Sequence, residues 1–117
     1  ELHSCDISKK NIESARNFTK KYSENTFFYV NDSVDFLNKF NKSIDLLYLD
    51  SFDGHNVELA SKHQLNEAKA SINKLKPNSL VLLDDKGAKT LYSLKFFNDK
   101  GFKIIEESKN QLLLSQN

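Results

Sequence analysis

Four aspartates directly follow short apolar segments of this sequence: Asp6, Asp50 and the adjacent pair Asp84 and Asp85. A carboxylate can accept hydrogen bonds from ligand hydroxyl groups, and several carboxylates together can bind a hard divalent cation. In open α/β sheets, ligands bind beyond the carboxyl ends of the strands. If the apolar segments are strands of such a sheet, the four acids therefore indicate a ligand site at the strand ends.

The apolar segments alternate with longer amphipathic stretches, as expected for strands connected by helices. Ile44–Leu49 and Leu80–Leu83 are continuous apolar runs, which are typical of parallel strands buried on both faces. Leu2–Cys5 and Thr26–Val30 are further predicted strands. Four helices are predicted between and after these strands: Ser8 to about Tyr22, a short helix bearing Val34, Leu37 and Phe40, about Leu59 to Leu75, and about Lys89 to Asn98.

The helical spacing also predicts which side chains are buried. In the first helix, Ile12, Ala15 and Phe18 are expected to share one apolar face. The segment Lys76–Asn78 contains the sequence's single proline and predicts a helix stop followed by a turn. A compact strand–helix unit is therefore expected between each strand-end acid and the next.

The C-terminal segment predicts an antiparallel hairpin. Phe102–Ile105 and Gln111–Leu114 are strand candidates, and their connection, Glu106–Asn110, is too short for a crossover helix. Gly101 stands where a glycine that ends the preceding helix belongs. With no repeat or linker in evidence, residues 1–117 are expected to form one domain, an α/β fold whose mainly parallel sheet is covered by helices on both faces.

Composition excludes several classes of function. Of the 117 residues, 38% are hydrophobic and 28% are charged, and the formal net charge is +1. This balance gives no electrostatic signature of a nucleic-acid or membrane partner. The single cysteine, Cys5, rules out an internal disulfide and fits a reducing compartment, so we expect a cytoplasmic protein. No apolar run approaches the roughly 20 residues needed to span a bilayer.

The order of these motifs resembles the class I S-adenosylmethionine-dependent methyltransferases over essentially the whole chain. The resemblance implies a Rossmann-like three-layer α/β sandwich and methyl transfer from S-adenosylmethionine to an oxygen or nitrogen of a small-molecule substrate. Four segments match the family's second motif, the turn after its third strand, its fourth strand with an acid at the tip, and its passage into the fifth strand: His3–Ser8, Asn31–Leu37, Asp45–Asp50 and Leu75–Asp85.

The resemblance also implies residues for the cofactor. Asp6, with its neighbour Ile7, would hold the ribose hydroxyls, because one carboxylate can accept hydrogen bonds from both. Asp32 and Ser33 would contact the adenine, and Phe52 would lie against the adenine face. Each has a structural alternative: Asp6, Asp32 and Ser33 are also suited to capping a following helix, and a loop phenylalanine often packs on its own domain.

Catechol O-methyltransferase-like members of the family suggest a metal site. Their Mg²⁺ ligands match Asp50, Asp84 and Asp85, and the ion would lower the pKa of a substrate hydroxyl. Two departures are visible, since Asp85 replaces an amide and Asp53 stands where those enzymes have a lysine base. Strand-end acids that cap helices and bind substrate are the alternative. Asp50 and the loop histidine His55 are the candidate catalytic residues.

The family's glycine-rich first turn is not among the three glycines of the chain. We expect that turn, with the first strand, to precede Glu1, and we expect this chain alone to bind S-adenosylmethionine poorly. Lys86 and Lys89 would steer an anionic substrate, balance the carboxylates or simply begin a helix. Two other functions stay open: a catalytically inactive Rossmann-like binding or assembly module, and a nicotinamide-dependent oxidoreductase.

Overall fold

The computed structural model describes residues 1–52 and 56–117. They divide into an N-terminal unit, Glu1–Phe40, and a C-terminal unit, Asn41–Asn117. The N-terminal unit contains β1 (Leu2–Asp6), α1 (Lys9–Phe18), β2 (Thr26–Val30) and α2 (Ser33–Lys39). The C-terminal unit contains β3 (Ile44–Leu49), α3 (Val57–Ser71), β4 (Leu75–Asp84), α4 (Leu91–Asp99), β5 (Lys103–Glu107) and β6 (Gln111–Ser115). None of the helices in these described ranges is long and apolar enough to cross a membrane.

In the N-terminal unit, β1 and β2 form a two-stranded parallel sheet. Ser8 begins α1, because its side chain accepts a hydrogen bond from the backbone N–H of Asn11 at 3.2 Å. The predicted helix was too long, since α1 ends at Phe18 and a short 3₁₀ turn follows it. The strands and the cap are therefore confirmed, and the helix end is corrected.

The predicted apolar face of α1 was partly wrong. Ile12 is buried, whereas Phe18 is 90% exposed. Residues three apart on an α-helix lag by about 60° at each step, so two such steps carry Phe18 about 120° away from Ile12. Residues spaced by three, without alternating spacings of four, therefore do not stay on the buried face of the helix.

In the C-terminal unit, the four-stranded sheet has the order β3–β4–β6–β5. β3 and β4 are parallel, while β6 pairs antiparallel with both β4 and β5, which confirms the predicted closing hairpin. Residues directly opposite one another across three strands are buried together and form most of the core of this unit: Leu47, Leu49, Val81, Leu83, Leu112 and Leu114.

The opposite face of β3 differs from the prediction of a strand buried on both faces. Leu46 and Tyr48 are 57% and 49% exposed. At the start of β4, the predicted turn Lys76–Asn78 is included in the strand, but the pairing shifts from Leu75 opposite Ile44 to Leu80 opposite Leu46. The extra residues between these two pairs leave the regular ladder, as a turn does.

The end of α4 explains how the chain reverses into the hairpin. Gly101, at φ 92°, has the left-handed backbone that favours glycine. Its N–H donates to the carbonyl of Asn98 at 3.0 Å, and the N–H of Phe102 donates to the carbonyl of Phe97 at 2.9 Å. The buried rings of Phe97 and Phe102 are 5.7 Å apart between centroids. This is a Schellman motif with its hydrophobic contact, and it confirms the predicted role of Gly101.

Helices α3 and α4 pack through polar side chains that the helical pattern did not indicate. The buried stripe of α3 includes Ser61, Gln64, Glu67 and Ser71. On α4, the hydroxyl of Ser93 donates a hydrogen bond to Oε1 of Gln64, and both residues are fully buried. Because a buried polar group is costly without a partner, this pair fixes how the two helices meet.

Replacing Ser93 with alanine is expected to lower the free energy of unfolding by about 1–3 kcal/mol, because it leaves the Oε1 atom of Gln64 buried without its donor. Urea unfolding measures the change. Ser14→Ala, at an exposed position of α1, is the matched control and should stay within about 0.5 kcal/mol of the parent. If Ser93→Ala is equally mild, the hydrogen bond contributes little and packing alone holds the helices together.

Candidate functional site

The carboxyl ends of β1 and β2 bring the predicted cofactor residues of the N-terminal unit together. Asp6 is paired with Val30 across the parallel ladder, and the N–H of Asn31 donates to the carbonyl of Asp6 at 3.1 Å. The thiol of Cys5 is hydrogen-bonded to the carbonyl of Asn31 at 3.1 Å. Asp6 and the turn that begins at Asn31 therefore lie at one edge of this small sheet.

The side chain of Asp6 organises the entry to α1. Its Oδ1 accepts a hydrogen bond from the N–H of Ser8 at 2.7 Å, and its Oδ2 accepts one from the side chain of Asn11 at 3.3 Å. A carboxylate has about four lone-pair sites, so two acceptor positions are still available to a ligand. Asp6 is therefore not the N-cap of α1, which is Ser8, but it supports that cap and keeps acceptor capacity for ribose hydroxyls.

The other cofactor candidates of this unit differ in their structural roles and in their exposure. Asp32 caps α2, since its Oδ2 accepts a hydrogen bond from the N–H of Asp35 at 3.0 Å. Ser33 is the first residue of that helix. Ile7 is 77% exposed, so its side chain is open to a ligand and adds little to the packing of the unit. The adenine and ribose roles of these residues stay predictions.

In the C-terminal unit, the ends of β3 and β4 bring three predicted acids together. Asp50, Asp84 and Asp85 form the carboxylate cluster, in which one oxygen from each side chain lies within 4.8 Å of the others. Parallel pairing places Leu49 opposite Leu83, so the residues that follow the two strands meet at one edge. The structure therefore brings together the three acids that the resemblance grouped, and their catalytic and metal-binding roles stay predictions.

A buried lysine reaches into the carboxylate cluster. The ammonium of Lys89, only 3% exposed, lies 3.0 Å from Oδ2 of Asp85 and 3.5 Å from Oδ1 of Asp50. It also donates a hydrogen bond to the backbone carbonyl of Ser51 at 3.1 Å. Of the three roles open to this lysine in the sequence, balancing the carboxylates is the one for which the structure provides contacts.

Two neighbours extend the cluster. The hydroxyl of Tyr48 donates to Oδ2 of Asp50 at 3.2 Å, and the side-chain amide of Gln111 donates to Oδ1 of Asp84 at 3.1 Å and to the hydroxyl of Tyr48 at 3.3 Å. Partial burial, followed by the negative charges of Asp50 and Asp84, raises the pKa of Tyr48. The phenol is therefore neutral near pH 7 and acts as a hydrogen-bond donor.

Asp50 and Asp84 titrate as a pair. Burial, a hydrogen bond to Asp84 and the negative charge of that residue together raise the pKa of Asp50 to about 6, against the opposing effects of Lys89 and Tyr48. The same hydrogen bond lowers the pKa of Asp84. Two close carboxylates cannot both ionise freely, so they share one proton below about pH 6, held mainly by Asp50.

The loop after β3 contributes a second polar contact, between Ser51 and Glu67. Ser51 donates a hydrogen bond to Oε2 of the buried Glu67 on α3 at 2.7 Å. Phe52 has a left-handed backbone at φ 66°, and its ring stacks on His63 with 5.4 Å between centroids. The adenine contact predicted for Phe52 stays a prediction beside this packing within its own unit. The candidate catalytic residue His55, like Asp53, lies outside the described residues.

Sequence reasoning missed four residues of this region. Tyr48 lies in a predicted strand two residues before Asp50, and this alternate position was the available signal. Gln111 begins the last strand and meets Asp84 only through antiparallel pairing, so no local signal in the sequence indicated it. Ser51 and Glu67 carried no comparable signal. Glu67 lies on a helix whose buried face is predicted from apolar residues alone, and its partner Ser51 is distant along the chain.

The fold is shared with known methyltransferases. The chain aligns over its whole length with a SAH-bound methyltransferase from Podospora anserina at TM-score 0.73 and 14% identity, covering 61% of that protein. It aligns over 97% of its length with the N-methyltransferase NodS from Bradyrhizobium japonicum at TM-score 0.67 and 14% identity, covering 71% of it. An rRNA methylase from Streptococcus thermophilus gives TM-score 0.73 at 8% identity, with 98% of this chain and 72% of that one covered.

These alignments define a Rossmann-like α/β fold of the methyltransferase type, as predicted. Residues 1–86 match the family described as a methyltransferase domain, so the chain belongs to this family. No curated protein sequence matches the chain. The chain spans about three fifths of the Podospora anserina relative, 61% of its length.

Proposed function

We propose that the protein containing this chain is an S-adenosylmethionine-dependent methyltransferase that acts on a small molecule. The observation that carries the proposal is the position of Asp6. It is the last residue of β1, at the edge where the turn after β2 also lies, and its carboxylate keeps acceptor positions beyond those used by Ser8 and Asn11. Membership of the methyltransferase-domain family supports the same cofactor.

Both units are proposed to belong to one methyltransferase domain, as the sequence predicts. The family match runs from residue 1 to residue 86 and so continues past the boundary between the units, which falls after Phe40. A family that is defined across this boundary indicates that the two segments evolve as parts of one domain. We also keep the prediction of a cytoplasmic protein, which depends on the single cysteine, Cys5.

The carboxylate cluster is proposed to serve the reaction. In methyl transfer, a lone pair of the acceptor oxygen or nitrogen attacks the methyl carbon, the carbon–sulfur bond breaks, and the sulfur leaves as a neutral thioether. The acceptor must also lose its proton. Above about pH 6, the ionised carboxylate of Asp50 can accept that proton or hold the acceptor hydroxyl by a hydrogen bond. Alignment of donor and acceptor supplies the larger part of the rate.

Metal-assisted O-methylation is a second candidate. The spacing of Asp50, Asp84 and Asp85, within 4.8 Å, favours it, because three carboxylates suit a hard divalent cation. Such an ion would supply Lewis-acid activation of a substrate hydroxyl. The ammonium of Lys89 opposes this candidate, since it already contacts two of the three carboxylates.

A small-molecule acceptor is proposed in preference to RNA. The similar structures include an rRNA methylase as well as an N-methyltransferase, so the fold alone does not distinguish acceptors. The net charge of +1 favours a small acceptor, because proteins that bind nucleic acid usually carry a strong positive patch.

Calorimetric titration of the full-length protein with S-adenosylmethionine and, separately, with NAD⁺ tests the cofactor. We expect micromolar binding of S-adenosylmethionine and no heat with NAD⁺. Binding of NAD⁺ alone would favour the nicotinamide-dependent oxidoreductase, and absence of binding to either would favour the inactive binding module. Transfer of a radiolabelled methyl group to a panel of small hydroxyl and amine compounds, with RNA as the comparison, then identifies the class of acceptor.

A further inference from the structure

The ammonium of Lys89 lies beside the carboxylate cluster of the C-terminal unit. It donates a hydrogen bond to the carbonyl of Ser51 at 3.1 Å and forms ion pairs with Asp85 at 3.0 Å and Asp50 at 3.5 Å. Lysine is rarely buried unless it is paired, so the 3% exposure of this residue requires these partners. A divalent cation bound by the carboxylate cluster would compete with this ammonium for the carboxylates of Asp50 and Asp85.

The backbone around Lys89 fixes the place of its side chain. Asp85 has a left-handed backbone at φ 55°, and the N–H groups of Ala88 and Lys89 both donate to its carbonyl, at 3.0 and 3.1 Å. The hydroxyl of Ser61 on α3 donates to the carbonyl of Ala88 at 2.8 Å and ties this turn to the helix. The turn therefore carries the lysine back toward the acid four residues earlier in the sequence.

We propose that the ammonium of Lys89 is the resident cation of the carboxylate cluster, positions Asp50 and Asp85, and allows methyl transfer at this site without a divalent metal. The inference deepens the proposed methyltransferase function and depends on it for the reaction. Lys89 is a positioning residue in this proposal, since it acts through the two carboxylates and through the carbonyl of Ser51. The metal-assisted candidate is its direct competitor.

Titration of the full-length protein with Mn²⁺, with free Mn²⁺ followed by electron paramagnetic resonance, tests the proposal. The parent and the variant Lys89→Arg, which keeps a cation, should bind no Mn²⁺ up to millimolar concentration. Lys89→Met should bind Mn²⁺ at least about tenfold more tightly than the parent, because it removes a positive charge next to three carboxylates. Lys95→Met, at an exposed lysine of α4 that pairs with Asp99, is the matched control and should behave like the parent.

Micromolar binding of Mn²⁺ to the parent, abolished by Asp84→Asn, would overturn the proposal in favour of a metal site. Failure of Lys89→Met to gain affinity would overturn it as well. If that variant does not fold, reductive methylation of the parent replaces it: Lys89 should label far more slowly than Lys95, with or without Mn²⁺. Faster labelling of Lys89 in Mn²⁺ would show that the ion displaces the ammonium.

Turnover separates this inference from the proposed function. The parent enzyme should keep its methyl-transfer rate in excess chelator, and Lys89→Arg should retain more of that rate than Lys89→Met. Loss of the rate on chelation would contradict the role of Lys89 while leaving methyl transfer established. A parent without methyl transfer under any condition would contradict the proposed function, and the Mn²⁺ titrations would still decide which cation the cluster holds.

Discussion

Replacing Asp6 with alanine is expected to weaken binding of S-adenosylmethionine by at least about 100-fold, because two charge-assisted hydrogen bonds to the ribose, each contributing about 1.5–3 kcal/mol, would be lost. The carboxylate has the capacity for them, since only one acceptor position on each oxygen is used, by the N–H of Ser8 and the side chain of Asn11. Calorimetry on the full-length protein measures the dissociation constant.

The variant Asp6→Asn separates cofactor binding from the structural role. Asparagine keeps an oxygen that can accept from the N–H of Ser8, so the entry to α1 is preserved while the charge is lost. We expect an intermediate loss of affinity, about tenfold. Asp45→Ala, at a highly exposed acid of β3, is the control. Parent-like cofactor affinity in Asp6→Asn, together with a lower melting temperature in Asp6→Ala, would show that Asp6 only holds the helix.

Replacing Asp50 with alanine is expected to lower kcat by about 100-fold or more, the usual contribution of a positioned acid–base group, while cofactor affinity changes little. The structural reason is its place in the carboxylate cluster, where Tyr48 and Lys89 orient it. Single-turnover methyl transfer under saturating cofactor measures the effect. Asp99→Ala, at an exposed acid of α4, is the matched control. A variant with parent-like turnover and weakened cofactor binding would reassign Asp50 to the cofactor.

The pH profile of the parent enzyme follows from the same carboxyl. If the ionised Asp50 is needed, turnover rises with pH and reaches half of its plateau at about pH 6. Asp84→Asn should move this inflection to lower pH, because the hydrogen bond and the charge of Asp84 both raise the pKa of Asp50. An inflection that stays in place would assign the titration to another group.

The contribution of Asp50 to the free energy of unfolding has the opposite dependence on pH, between about pH 3.8 and 6. The folded-state pKa of Asp50 is raised from 3.8 to about 6, so the folded protein binds this proton more tightly than the unfolded chain does. The contribution of Asp50 to stability is therefore complete below about pH 3.8 and is lost as the pH rises to about 6. The enzyme would thus be most active where this residue no longer stabilises the fold.

Much of the fold could be predicted because its signals are local. Continuous apolar runs marked β3 and the paired part of β4, and the short connection before Gln111 required the antiparallel hairpin. The resemblance grouped Asp50 with Asp84 and Asp85, and the parallel pairing of β3 and β4 explains why they meet, since parallel strands end at the same edge. Each of these inferences needed only a few neighbouring residues.

The remaining features depend on partners that are distant in the sequence. Lysine is mostly exposed in proteins, so nothing in the pattern indicated that Lys89 would be buried against Ser51. Gln64 is likewise buried against another helix, where its Oε1 atom accepts a hydrogen bond from Ser93. The exposure of Leu46 has the same origin, because an apolar run shows that a strand can be buried and does not show how many of its faces are covered.

The left-handed backbone of Asp85, at φ 55°, restricts how this edge of the protein can diverge. Among residues with a side chain, aspartate and asparagine adopt this conformation most readily, whereas β-branched residues are strained in it. In the catechol O-methyltransferase-like pattern that this sequence resembles, the matching position has an amide. A single exchange between acid and amide would therefore alter the charge beside Lys89 by one unit and leave the turn intact. In related proteins, single substitutions that the backbone tolerates could therefore convert a carboxylate cluster that is neutralised by a lysine into one that binds a metal ion.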